Sequence, residues 1–166
     1  MVIRPPSDAV VALRSMGRRW RGLFAGLGED ERPDDLAHRV GSDGHAALDH
    51  LTAATRGLTF LGRALEQTLI EEDPVLHPAV ADAGEREWGA AAGSLEEALV
   101  ELDHVAEALA HRAERVTASE WGRQARVARS DATTSALAVL WDAVDSAVAH
   151  LRAAERTLRE VRGRPA

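Results

Sequence analysis

Between positions 137 and 163, the residues Leu137, Leu140, Val144, Ala147, Leu151, Ala154, Leu158 and Val161 recur at alternating three- and four-residue spacing. That period places them on one face of a long helix and leaves the other face polar. Such a helix buries its stripe only against partners of the same kind. Three further segments supply them. The first follows Pro5-Pro6-Ser7, with Ser7 as the expected cap, and carries Leu13, Met16, Trp20, Leu23 and Leu27 before Gly26 and Gly28 end it. The second begins near Ser42-Asp43 and runs to about Glu72, with Leu48, Leu51, Thr55, Leu58, Gly62, Leu65 and Leu69 in register and Pro74 blocking continuation. The third opens with Ser94-Leu-Glu-Glu97, a capping-box pattern, continues through Leu95, Leu99, Leu102, Val105 and Leu109, and ends near Arg115. The fourth helix starts near Ser130-Asp131 and is closed by Gly163 and Pro165.

No segment shows convincing strand alternation, so the expectation is an all-α four-helix bundle forming a single domain over residues 1–166. The connections at 28–42 and 116–130 are moderately long, and 73–93 is longer still. A connection of that length suits a crossover along the bundle, which makes the second and third helices parallel and gives up-down-down-up order. A short extra turn around Arg86–Ala92 is the other use for it.

Composition removes several functional classes. The chain has no Cys, hence no disulfide framework, thiolate nucleophile or Cys-based zinc site. Its net charge is −7 and every basic residue counted is Arg, a poor basis for following a phosphate backbone. Arg14, Arg18, Arg19 and Arg21 read as the solvated face of the first helix rather than a nucleic-acid surface. No apolar run reaches membrane-spanning length, and MVIRPPSDAV lacks the apolar core of a signal peptide, so a cytoplasmic protein is expected.

Histidines are the natural place to look for chemistry. His104 and His111 are seven apart and too far along the axis to share one ion. His45 and Asp49 have ligand spacing but sit at a helix start, and His38 and His77 fall in connections. His50 and His150 differ because each directly neighbours a stripe residue, Leu51 and Leu151, where a side chain can point between helices. Metal sites in bundles are built from such facing positions. His150 has Ser146 and Asp142 one and two turns before it, while Asp145 lies on another part of the helix surface. The ordinary reading is two partly buried histidines hydrogen-bonded to their neighbours; the sharper one is a metal site. There is no nucleophile elbow and no phosphate loop, GSDG at 41–44 merely starting a helix. Trp88, Trp121 and Trp141 suit a pocket lining or a sealed core edge.

Three stretches bring a family into view: GHAALDHLTAATRGLTFLGRALEQTLIEEDP at 44–74, AERVTASEWGR at 113–123 and LWDAVDSAVAHLRAAERTLREVR at 140–162. Together with Trp20 they resemble the DinB-like (YfiT-like) superfamily, which includes mycothiol-dependent isomerases and S-transferases. The resemblance implies an up-down-down-up four-helix bundle. It also implies a divalent metal held by one histidine on the second helix and an H-x-x-x-H pair on the fourth. His50 resembles the first of these ligands. The pair is broken here: one register gives Asp145 and Ala149, the other Ser146 and His150. The metal set implied is therefore His50, Asp145 and His150, with zinc or nickel held weakly or not at all.

Two functions follow from that pattern. One is a family member with a degraded metal triad, non-catalytic or weakly metal-binding, acting as a binding or assembly module and expected to be a homodimer. The other is a metal-dependent enzyme that transfers or hydrolyses a small-molecule substrate with a thiol cofactor. Neither reading calls for nucleic acid or membrane.

Overall fold

The computed structural model describes residues 3–89, 91 and 93–164. Four long helices dominate: α1 (Pro6–Gly22), α3 (Ala47–Ile70), α5 (Leu95–Glu114) and α6 (Ala136–Arg162). Two single-turn helices, α2 (Pro33–Ala37) and α4 (Ala83–Glu87), lie in the connections. The stripes read from the sequence are the core. Leu13, Met16 and Trp20 of α1 and Leu51, Leu58, Leu61 and Leu65 of α3 are almost wholly buried, as are Leu102 of α5 and Val139 and Leu140 of α6. Burying each such side chain contributes roughly 1.5–3 kcal/mol against the entropy of ordering the chain.

The helix ends correct several boundaries. Pro5 occupies the cap position of α1 and Pro6 its first turn, where a missing N–H costs nothing, so Ser7 lies inside the helix rather than capping it. Ser94 and Glu97 form the expected reciprocal cap of α5: the Glu97 amide donates to Ser94 Oγ at 3.2 Å and the Ser94 amide to Glu97 Oε2 at 3.0 Å. The second long helix starts at Ala47, not at Ser42-Asp43, because residues 41–44 form a turn closed by an amide–carbonyl bond from Gly44 to Gly41. Asp49 accepts from the Ala46 amide at 2.7 Å, which engages the carboxylate that had ligand spacing to His45.

The expectation of no strands is wrong at one end of the bundle. β1 (Val75–Leu76) pairs in parallel with β2 (Gln124–Val127), which pairs antiparallel with β3 (Thr133–Ser135). β2 does alternate, Ala125 and Val127 facing the core and Gln124 and Arg126 facing solvent, but four residues are too few to stand out by period. β3 takes residues expected to open the fourth helix, so α6 starts only at Ala136, capped by Ser135 Oγ on the Ala138 amide at 3.1 Å. Arg123, just before β2, donates to the carbonyls of Thr68 and Glu71 at 3.0 and 2.5 Å and so satisfies the C-terminal end of α3. The expected close of the last helix at Pro165 lies outside the described residues.

The long connection after α3 is structured. It contributes β1, a 3₁₀ turn at Pro78–Ala81 and then α4. The extra turn therefore falls at 83–87, earlier than the 86–92 expected, and Ala92 is outside the described residues.

Candidate functional site: a paired imidazole centre

α3 and α6 pack along most of their lengths and bring His50 and His150 together. Their Nδ1 atoms are 3.4 Å apart and their ring centroids 5.7 Å apart. His50 is 4% exposed. Each imidazole turns its other nitrogen to a carboxylate. His50 Nε2 is 3.0 Å from Asp43 Oδ2, and His150 Nε2 is 2.6 Å from Glu87 Oε2. The result is a chain of four side chains: Asp43, His50, His150, Glu87.

Both carboxylates are placed by local structure. Asp43 sits in the turn before α3, where its Oδ1 accepts the His45 amide at 2.9 Å. Glu87 ends α4 and is 1% exposed, although it carries a charge. Its Oε1 accepts from Ser146 Oγ at 2.5 Å and from Arg86 Nε at 3.0 Å. Ser146 stands one turn before His150 on α6, so the two reach the same carboxylate from one helix face. Gly57 of α3 leaves the space that Glu87 fills, since a Cβ there would lie 2.7 Å from Oε1. Over the pair lies an aromatic cover. Trp88 stacks on His45 with centroids 4.0 Å apart, and its ring is 5.3 Å from that of His50 and 5.2 Å from that of His150.

The proton count follows from these contacts. Burial pushes the Glu87 carboxyl up, but hydrogen bonds from His150 and Ser146 and the charge of Arg86 outweigh it and hold the group below its ordinary value. Burial likewise pushes Asp43 up and is outweighed by the His45 amide and His50. Both are therefore carboxylates at neutral pH, able only to accept, so each facing Nε2 must carry a proton. Two neutral rings of that tautomer would aim bare Nδ1 lone pairs at each other across 3.4 Å. A single proton shared between the two Nδ1 atoms would turn that contact into a hydrogen bond, and the centre would then be neutral: two carboxylates against the Arg86 guanidinium and one imidazolium. Burial pushes the His50 pKa down, with Asp43 opposing and His150 adding to the fall.

Of the three metal ligands expected, the structure unites His50 and His150 and places Asp145 elsewhere. The Asp145 carboxylate takes a bidentate pair of hydrogen bonds from Arg4 at 2.7 and 2.8 Å, and Arg4 in turn lies 3.5 Å over the Trp141 ring. Five residues from His150 is well over a full turn, which carries Asp145 to another face of α6. Glu87, the carboxylate that does meet His150, was missed. Its neighbours Glu85 and Arg86 give it the look of a solvated charged turn, and the signal that pointed to it was indirect: a glycine, Gly57, in the middle of an apolar helix face.

No protein-family model matches this chain, and no curated protein matches it. Among solved structures, YfiT from Bacillus subtilis superposes with a TM-score of 0.66 over 94% of this chain and 89% of that one, at 12% sequence identity. The fold is YfiT-like. The neighbour is described as a probable metal-dependent hydrolase with an unusual four-helix bundle topology. At that identity the likeness fixes the architecture and leaves the chemistry to the residues.

Those residues fit a hydrolytic metal poorly. A catalytic zinc takes three protein ligands and keeps a position for water. Here two nitrogens converge, and no group of three or more ligating side chains surrounds a common point among the described residues. Asp43 and Glu87 are turned to the far nitrogens of the two rings and are engaged there.

Proposed function

We propose that this chain is a YfiT-fold bundle in which a proton-sharing histidine pair stands where a metal triad is expected, a non-catalytic or weakly metal-binding form of the fold. The observation that carries this reading is the closed hydrogen-bond chain from Asp43 through His50 and His150 to Glu87, which satisfies every donor it contains with one shared proton. Elemental analysis of untagged protein, followed by melts with Zn²⁺ and Ni²⁺, tests it. The expected result is metal well below one equivalent and a melting temperature that ignores both ions and chelator. Near-stoichiometric metal that is lost in both His50→Ala and His150→Ala overturns it.

One observation favours a second reading, a metal-dependent enzyme acting on a small substrate with a thiol cofactor. For Zn–N bonds of 2.0–2.1 Å, two ligands of a tetrahedral ion stand about 3.3–3.4 Å apart, and the Nδ1 atoms are 3.4 Å apart. In that case His50 and His150 would be the ligands, with Asp43 and Glu87 orienting them through Nε2, and zinc or nickel would be the ion. Asp145 has no part in this arrangement.

The same proposal includes up-down-down-up helix order. It is supported by ion pairs linking Arg14 of α1 to Glu107 and Glu114 of α5, Arg21 to Asp103, and Glu66 of α3 to Arg112 of α5. A cytoplasmic homodimer completes the reading, and sedimentation equilibrium across a dilution series checks the dimer. No helix among the described residues is long and apolar enough to cross a membrane.

A further inference from the structure

Beside the histidine pair, a cleft of about 440 Å³ opens between α3 and the first half of α5. Its charges are sorted by wall. α3 contributes Arg56 and Arg63, and α4 adds Arg86; α5 contributes Glu97 and Glu101, with Phe60 of α3 as the large apolar contact. Opposite charges on this helix pair do meet where nothing separates them, as Arg112 and Glu66 do at 2.6 Å. Arg63 and Glu101, across the cleft, make no ion pair among the described residues. Glu97 is engaged at the α5 cap.

Arg86 is the buried element of the cleft. Its side chain is 7% exposed. Its Nε donates to Glu87 and its Nη1 to the carbonyls of Val80 and Ala79 at 2.8 and 3.3 Å. That fixes the guanidinium plane and leaves Nη2 without a protein acceptor among the described residues. A guanidinium held in this way is preorganised to take an anionic oxygen. Arg56 lies against Gly89, where there is no Cβ to displace it.

We infer that this cleft binds a small zwitterion of dipeptide size, its carboxylate at Arg63 and Arg86 and its ammonium toward Glu101, with an apolar body on Phe60. The volume lies within the usual range of small-molecule sites, roughly 300–1,000 Å³. One ligand that carries both charges satisfies both walls, whereas a simple anion leaves Glu101 repelling it. The inference does not depend on whether the histidine pair holds a proton or a metal.

Isothermal titration with the dipeptide alanyl-phenylalanine tests it, alongside the N-acetylated and the C-terminally amidated forms, which lose the ammonium and the carboxylate respectively. The free dipeptide is expected to bind at least about tenfold more tightly than either blocked form, about 1.4 kcal/mol for each lost charged contact. Arg63→Glu should weaken the free dipeptide by a similar factor. Arg18→Glu, an equal charge change on the exposed face of α1, should leave it unchanged. Equal binding of all three peptides, equal weakening by the two variants, or no saturable binding of any peptide overturns the proposal.

Discussion

Glu87→Gln isolates the contribution of one buried charge while keeping the shape of the side chain. In the native protein Glu87 is 1% exposed, and its neighbours Arg86 and His150 have side chains only 7% and 11% exposed. Removing one partner from a buried ion pair costs about 3–5 kcal/mol, because the remaining charge is left without compensation. The variant amide still offers an oxygen to Ser146 or Arg86, and Arg86 keeps its carbonyl acceptors, so the lower end, about 3 kcal/mol, is expected. For a domain of 166 residues this corresponds to a fall in Tm of about 6–12 °C. The pH dependence is the sharper assay. The folded-state pKa of Glu87 is depressed below its ordinary value of 4.5. Its stabilising contribution is therefore fully present above that value and is lost as pH falls through the folded pKa. Urea melts of both proteins should show a constant gap from neutral pH down to about 4.5, narrowing below it. A gap under about 0.5 kcal/mol, the scale of an ordinary surface substitution, or one that does not narrow in acid, would refute the buried-charge reasoning.

Two glycines on the long helices should respond differently to alanine. At Gly57 the new Cβ would meet Glu87 Oε1, Cδ and Cγ at 2.7, 3.1 and 3.3 Å, and Glu87 is held by Arg86, Ser146 and His150. The overpacking, about 1–3 kcal/mol, exceeds the helical gain of about 0.5–1 kcal/mol, so Gly57→Ala should lower the urea midpoint. At Gly17 the obstacle is the end of the Asp103 carboxylate, exposed and free to turn away from its surface pair with Arg21. That pair contributes at most about 1 kcal/mol against a similar helix-propensity gain, so Gly17→Ala should change stability by less than about 0.5 kcal/mol; a loss comparable to that of Gly57→Ala would show that Asp103 is pinned.

The bundle was legible because its signal is long. Stripes of seven or eight residues at helical spacing, such as Leu48 to Leu69 or Leu137 to Val161, are hard to mistake. The Ser94–Glu97 cap was readable for a different reason: its two members lie three residues apart and act on each other. What escaped was short or non-local. β1 and β3 have two and three residues, below the length at which a period of two can be distinguished. His50 and His150 were singled out by their place beside the stripe, but their partners were not. Asp43 comes from a turn mistaken for helix, and Glu87 from a five-residue helix 63 positions from His150. Asp145 was drawn in by family spacing, yet its partner is Arg4, 141 positions away. Sequence distance of that kind leaves no periodic trace.

The small sheet lies at the end of α3 and the start of α6, whereas the imidazole pair lies near the start of α3. β1 belongs to the connection after α3 and β2 to the connection before α6, so their pairing joins two loops that are 51 positions apart at Val75 and Arg126. With Arg123 bound to the carbonyls of Thr68 and Glu71, that end is fastened independently of the site. Opening at the other end, where Asp43, His45 and Trp88 meet over the histidines, breaks none of these sheet contacts. The molecule therefore resembles a clasp closed at both ends by separate ties: the loops lock one end, and at the other Ser42 holds Glu160 of α6 through its amide and hydroxyl at 3.1 and 2.9 Å.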